Sequence, residues 1–379
     1  MVQLSSVLLA LSIYGFIWIV ALSLAAGDGR GNGRNMIAVF HIFYTVLFHF
    51  YIERFPADAN MYMTKSAAPT EAIHFGTNFV VHMFHYIHLF GLQSDLSKHI
   101  IGSGFGLIGI LLLYNALTMF NKKSTGRLYD GCVLALCCTP SLHFFTSSVG
   151  KDSIFVVATG LVLLSVGTKR LIWLFLGLLI MLALRPIVFS IFLGAFFASY
   201  FIHFYVFKMS NFGKKNIVLF SVLGILSLGC FFWFGFEGLE LIWKNLLGFI
   251  DSRGMIIGRG SASFVISQQP FGFLIPNALA PYLFFGELGV GSLIILLETV
   301  VLITCAWLGI RLRLVVANFD FIWAVLVGSI AISVVAVWCG LALVLYNDGL
   351  IARQRWMFLP LIVFVAVYSR SWINFVKNH

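Results

Sequence analysis

Apolar residues run along this chain in long blocks separated by charged residues or by Gly/Pro breaks. The blocks cover 4–26, 36–52, 100–120, 131–148, 153–168, 171–184, 187–207, 216–236, 282–308, 319–345 and 356–375. Most are long enough to cross a hydrocarbon core of about 30 Å as a helix. The pattern therefore predicts an all-α polytopic membrane protein with about eleven transmembrane helices. The stretch 73–92 is different: His74, Asn78, His82, His85 and His88 fall mainly along one helical face, and Phe75, Phe79, Met83, Tyr86 and Phe90 cover most of the rest. It reads as an amphipathic helix lying in the interface of the first outer loop; counted as a span, it would make twelve.

Composition narrows the class. Hydrophobic residues make up 60% of 379 positions, charged residues 10%, and mean hydropathy is +1.00. No polar stretch has room for a separate soluble domain of ~100 residues, so 1–379 reads as one membrane domain. A formal charge of +10 invites a nucleic-acid partner. The basic residues stand singly or in pairs between apolar runs, which excludes that reading and makes them topology signals or ligands for an anion. The six cysteines all fall in apolar segments without metal or disulfide spacing. Lacking a basic leader and a cleavage site, 4–26 reads as a retained span.

The positive-inside tendency orients the chain. One set of loops holds Arg30, Arg34, Lys122, Lys123, Arg127, Lys169, Arg170, Lys208, Lys214, Lys215, Arg311, Arg313 and Lys377, opposed only by Asp28, Asp130 and Asp320. That set is expected inside, with the N-terminus outside and the C-terminus inside. The outer face then carries two long segments, about 53–99 and 237–281, and short turns at 148–152, 185–186 and 346–355.

Candidate chemistry gathers on that outer face. The spans 153–168 and 171–184 are short, roughly 24 and 21 Å at 1.5 Å per residue. With their inner ends pinned by Lys169 and Arg170, their outer ends Lys151-Asp152 and Arg185-Pro186 are expected below the membrane surface. Ionisable groups at such depth are costly unless they face protein or a water-filled cavity. Lys151 and Arg185 read as an anion site; the alternative is a Lys151–Asp152 pair capping the helix 153–168. Arg353 and Arg355 enter a new span without an adjacent acid, as a guanidinium pair suited to pyrophosphate oxygens or as interfacial anchors. In 237–281, Arg253 and Arg259 are bordered by glycines that let backbone amides approach an anion; a plain flexible loop reads equally well. Asp58 and Tyr62 stand four apart on the first outer segment, where a carboxylate could act as base on a sugar hydroxyl or simply hold a turn. His82, His85 and His88 have zinc-like spacing, but no carboxylate supports them, and no metal or other cofactor is expected.

Several segments in the same order resemble one family: Pro56 to Tyr62, Phe75-Gly76-Thr77-Asn78-Phe79-Val80, Pro140 to Ser153, Leu184-Arg185-Pro186, Leu296-Leu297-Glu298, and Asn347 to Arg355. Together they look like the Wzy-type O-antigen and exopolysaccharide polymerases of the GT-C superfamily. Such relatives carry an Arg-Pro-rich element before the span at 282–308, where this chain has Pro276 to Pro281 without the arginine. The resemblance implies a metal-independent glycosyltransferase of the bacterial inner membrane, acting on the periplasmic face. A glycan would move from undecaprenyl pyrophosphate onto a lipid-linked repeat unit, with a chain-length co-polymerase as a further partner. Arg185, Arg353 and Arg355 are then expected on the donor pyrophosphate, assisted by Lys151, Arg253 and Arg259. Asp58 would activate the acceptor, Tyr62 would line the site and Asp152 would orient Lys151. A ligase or single-sugar transferase of that superfamily, or a flippase of lipid-linked sugars, are the competing expectations.

Overall fold

A computed structural model describes residues 2–23, 30–54, 58–69, 73, 75–119, 127–203, 290–311, 321–344 and 360–368. All regular structure among them is helical. Two compact units are present, 1–186 and 187–379.

In the first unit α1 (Val2–Ser23), α2 (Gly31–Arg54), α3 (Asp58–Ala67), α4 (Thr77–Leu89), α5 (Asp95–Thr118), α6 (Arg127–Cys137), α7 (Pro140–Thr146), α8 (Lys151–Thr168) and α9 (Leu171–Leu184) follow in order. Helices α2, α5 and α8 are long and apolar enough to cross a membrane, and α6 with α7 forms a fourth candidate bent by 44°. The bend replaces the straight span expected at 131–148. Pro140 has no N–H to give the preceding turn, and the Leu136 carbonyl instead accepts from the Thr139 hydroxyl at 2.8 Å.

The faces of α2 reveal its surroundings. Met36, Val39, Phe43, Val46 and Phe50 are exposed, whereas Arg34, His41 and Thr45 are buried. Apolar outside and polar inside is the reverse of a soluble helix and is what lipid selects, because buried polar groups satisfy one another within the bundle. The chain is a multi-pass helical membrane protein. Arg34, expected in a loop, lies inside α2 and donates through Nε and Nη2 to Asn115 Oδ1 at 2.9 and 2.8 Å.

Close backbone approach sets the core. Helix α5 packs most extensively on α8, and α8 on α9. A Cβ on Gly109 would stand 2.7 Å from the Val156 carbonyl carbon, and one on Gly160 would stand 2.6 Å from Leu112 Cβ. Small residues on both helices let the backbones meet, which is how membrane helices gain packing energy without a hydrophobic drive.

Two ends of this unit are defined by cross-links. At one, Arg30 meets Asp130 at 3.6 Å, and Lys169 and Arg170 end α8. At the other, the Ser6 hydroxyl bonds Ser94 at 3.1 Å, and α3 packs on α4. The expected interfacial helix at 73–92 is α4, and 13 residues span only about 20 Å. Its His85 is hydrogen-bonded through Nδ1 to the Ser66 carbonyl at 2.9 Å, which ties α4 to α3. Lys98, 1% exposed, donates to the Met63 carbonyl and the Ser66 hydroxyl, both at 3.1 Å. A buried ammonium there complements the C-terminal end of α3. Lys98→Met is expected to release α3, read as faster amide exchange over Asp58–Ala67 with the α5–α8 core still protected.

The second unit holds α10 (Pro186–Phe201, whose first residue closes the first unit), α11 (Val290–Arg311), α12 (Phe321–Val344) and a helical stretch 360–368. Leu297, Val300, Ile303, Trp307 and Ile310 form the exposed apolar face of α11, and Glu298 is buried. The Ser199 hydroxyl donates to the Val325 carbonyl at 2.9 Å and joins α10 to α12. The expected span at 216–236 lies outside the described residues.

Candidate functional site

Pro186 shapes the site. A residue before proline is pushed out of the helical region, and Arg185 accordingly has φ −142° and ψ 71°, which ends α9. Its guanidinium leaves the helix axis, lies over the Phe155 ring at 5.4 Å, and pairs through Nη2 with Asp152 Oδ1. Asp152 occupies the first turn of α8, where a carboxylate is favoured by the helix dipole. The two side chains are only 16% and 12% exposed.

Lys151 opens α8 beside this pair. Its Nζ approaches Gly76, where a Cβ would stand 3.4 Å away. Gly76 has φ +81°, a conformation that glycine adopts without cost. It forms the N-cap of α4, and its N–H donates to the Ala183 carbonyl at 2.7 Å. Three segments remote in sequence therefore meet: the turn before α4, the start of α8 and the end of α9. Gly76→Ala is expected to cost about 1–2 kcal/mol through backbone strain and to loosen α4 from α9. Thermal unfolding with amide exchange over Thr77–Leu89 checks it.

Neither α4 nor α8 has a side-chain cap at its N-terminus. The start of α4 lies close to Lys151, which opens α8 beside Arg185. Two cations and two helix starts outweigh one carboxylate, so the place is electropositive and suited to an anion. It is also recessed. Gly102 of α5 packs against Val149, and the start of α5 at Asp95 lies about 10 Å further out at 1.5 Å per residue.

Of the residues expected on the site, Lys151, Asp152 and Arg185 are brought together; Asp152 pairs with Arg185. Asp58 is exposed at the start of α3, while Tyr62, one turn on, is 2% exposed in the packing of that helix. Arg253, Arg259, Arg353 and Arg355 lie outside the described residues. Gly76 was expected only as part of a motif; its role needed the positive φ and the Ala183 contact. Among the described residues no three His, Cys, Asp or Glu side chains converge as metal ligands.

A second polar feature, not expected from the sequence, is a seam along α2 that is buried at His41 and Thr45 and exposed at Glu53. His41, Thr45, His49 and Glu53 recur every fourth residue and meet His99 and Ser103 of α5 and His143 of α7. The four-residue spacing was visible, but which helices it faced was not.

Comparison of the chain with protein-family models, curated proteins and solved structures finds no match in any of the three.

Proposed function

We propose that this chain is a glycosyltransferase of the bacterial inner membrane that polymerises lipid-linked repeat units on the periplasmic face. The observation that carries the reading is the recessed, electropositive meeting of Lys151, Asp152, Arg185 and two helix N-termini at one end of the bundle. A lipid-linked pyrophosphate matches it: the isoprenoid stays in the bilayer, the pyrophosphate sits at the recess, and the sugars extend outward. Arg185 and Lys151 neutralise the charge that develops on the leaving pyrophosphate. The acceptor hydroxyl attacks the anomeric carbon, the carbon–oxygen bond to pyrophosphate breaks, and Asp58 takes the hydroxyl proton. The roles expected for Arg253, Arg259, Arg353 and Arg355 on the donor fall on residues outside those the structure describes. In this reading eleven spans run from an outer N-terminus to an inner C-terminus, and Tyr62 supports the helix that presents Asp58. A chain-length co-polymerase sets the product size. The opposite end of the first unit, with Arg30, Arg34, Lys169 and Arg170, is the cytoplasmic one.

Deletion of the gene is expected to reduce the surface polysaccharide ladder to a single repeat unit on its lipid core. A ligase or single-sugar transferase would leave lipid-linked polymer or truncated units instead. A second reading, a transporter of lipid-linked oligosaccharide, is favoured by the polar seam that lines α2 from Arg34 to Glu53. In that case all glycan disappears from the outer face and lipid-linked units accumulate inside.

A further inference from the structure

Helices α2 and α5 are joined by a reciprocal clasp. Each carries a histidine four residues before a hydroxyl: His41 and Thr45 on α2, His99 and Ser103 on α5. His41 Nε2 lies 2.9 Å from the Ser103 carbonyl oxygen, and His99 Nε2 lies 3.1 Å from the Thr45 carbonyl oxygen. The Thr45 and Ser103 hydroxyls meet between them, and Thr45 also donates to the His41 carbonyl at 2.7 Å. A carbonyl oxygen only accepts, so both Nε2 atoms carry hydrogen. His41 Nδ1 is therefore a lone pair, and it lies 2.9 Å from Nδ1 of His143. His143 must donate there, which leaves its Nε2 as a bare basic nitrogen.

Both ends of this arrangement are open to a further hydrogen. His143 is 0% exposed and His99 1%, and neither His143 Nε2 nor His99 Nδ1 has a hydrogen-bond partner among the described residues. Further titratable groups follow toward the end where α2 finishes. Glu53, its side chain 60% exposed, stands 3.5 Å from His49 Nε2, and the His49 ring lies 5.8 Å from that of His99. The groups facing the seam are few. Tyr44 stacks on His143 and Phe48 on His99, each at 5.8 Å, while Tyr14 of α1 packs on Gly104 one residue from Ser103. Lys98, beside His99, directs its ammonium to α3, and Arg34 lies almost two turns beyond His41 with its guanidinium on Asn115. No carboxylate among these touches the His41–His143 pair to hold a fixed charge there.

We propose that the His41–His143 pair is a proton-binding site inside the bundle, loaded from the Glu53 end by way of His49 and His99. The neutral pair holds two ring hydrogens, on His41 Nε2 and His143 Nδ1. The loaded pair holds three, one on each Nε2 and one shared between the two Nδ1 atoms, and carries a single positive charge. Sharing across two rings spreads a charge that one buried imidazole would hold alone. His143 stands three residues past the Pro140 bend, so loading strengthens the bond between α7 and α2 across the break. The site is independent of the glycosyl-transfer reading.

The test uses the full chain in lipid nanodiscs with ¹⁵N-labelled histidine, each ring's protonation being read by NMR between about pH 8 and pH 4, a range that brackets ordinary imidazole titration. The His41 and His143 signals are expected to move together with one midpoint. His143→Gln removes that transition from His41, although the Ser103 bond persists. His49→Gln, which leaves the pair untouched, slows proton exchange at the pair and keeps the midpoint. Rings that stay neutral throughout, or that titrate with separate midpoints, overturn the site. An unchanged exchange rate in His49→Gln overturns the Glu53 entrance and with it the loading path; that variant also keeps the test decisive if His143→Gln does not fold.

Discussion

Gly106→Ala is expected to destabilise the first unit strongly, and Gly106→Val to prevent its assembly. A Cβ at this position overlaps the Thr146 carbonyl oxygen at the end of α7, lies 3.0 Å from the carbonyl carbon, and stands 3.1 Å from His41 Cε1. One obstacle is backbone and the other is a ring held on both nitrogens, so neither yields as a flexible side chain would. Overpacking of this kind costs about 1–3 kcal/mol, and more where backbone must move. The added methyl also pushes His41 from the Ser103 carbonyl, which couples the packing loss to the polar clasp. Gly131→Ala is the matched control, because a Cβ there meets nothing within 4 Å; in α6 it is expected to be neutral or slightly stabilising. Thermal unfolding in detergent of the three variants checks the order.

Asp152→Ala has the second large effect. It removes the carboxylate from Arg185 while the guanidinium stays largely enclosed against Phe155. Stranding one member of a buried pair costs about 3 kcal/mol. The double variant Asp152→Leu with Arg185→Met is expected to recover most of that stability, because an apolar pair of similar bulk needs no desolvation. It is expected to recover none of the activity. If the pair were only a structural tie, the double variant would regain function along with stability. Activity here is the length of surface polysaccharide, with protein level measured alongside.

The bounds of α9, Leu171–Leu184, coincide with the apolar run read from the chain, since lipid makes hydropathy a direct signal of span length. Lys151, Asp152 and Arg185 were legible as the charges at the ends of the apolar runs of α8 and α9, and the fold brings those ends together. Arg34 was misread as a loop residue because charge was taken to end a span, whereas Asn115 lets α2 continue past it. The bend after Cys137 was missed although Pro140 was in view. Residues 131–148 carry no Asp, Glu, Lys or Arg to break the run, and hydropathy does not register a lost N–H. The clasp of His41, Thr45, His99 and Ser103 was hidden more deeply. His41, Thr45 and Ser103 sit in apolar runs and His99 just before one, and their meaning depends on α2 facing α5, a tertiary fact absent from local pattern. His82, His85 and His88 are conspicuous in the sequence by their spacing, and of these His85 tethers α4 to α3.

The most direct test of the central claim uses the purified full chain in liposomes, supplied with undecaprenyl-pyrophosphate-linked repeat units and assayed for product length on a gel. A ladder of lengths from the intact chain, lost in Arg185→Ala at equal protein, is the expected result. Repeat units that cross the bilayer without being joined, or a ladder that persists in Arg185→Ala, would contradict it.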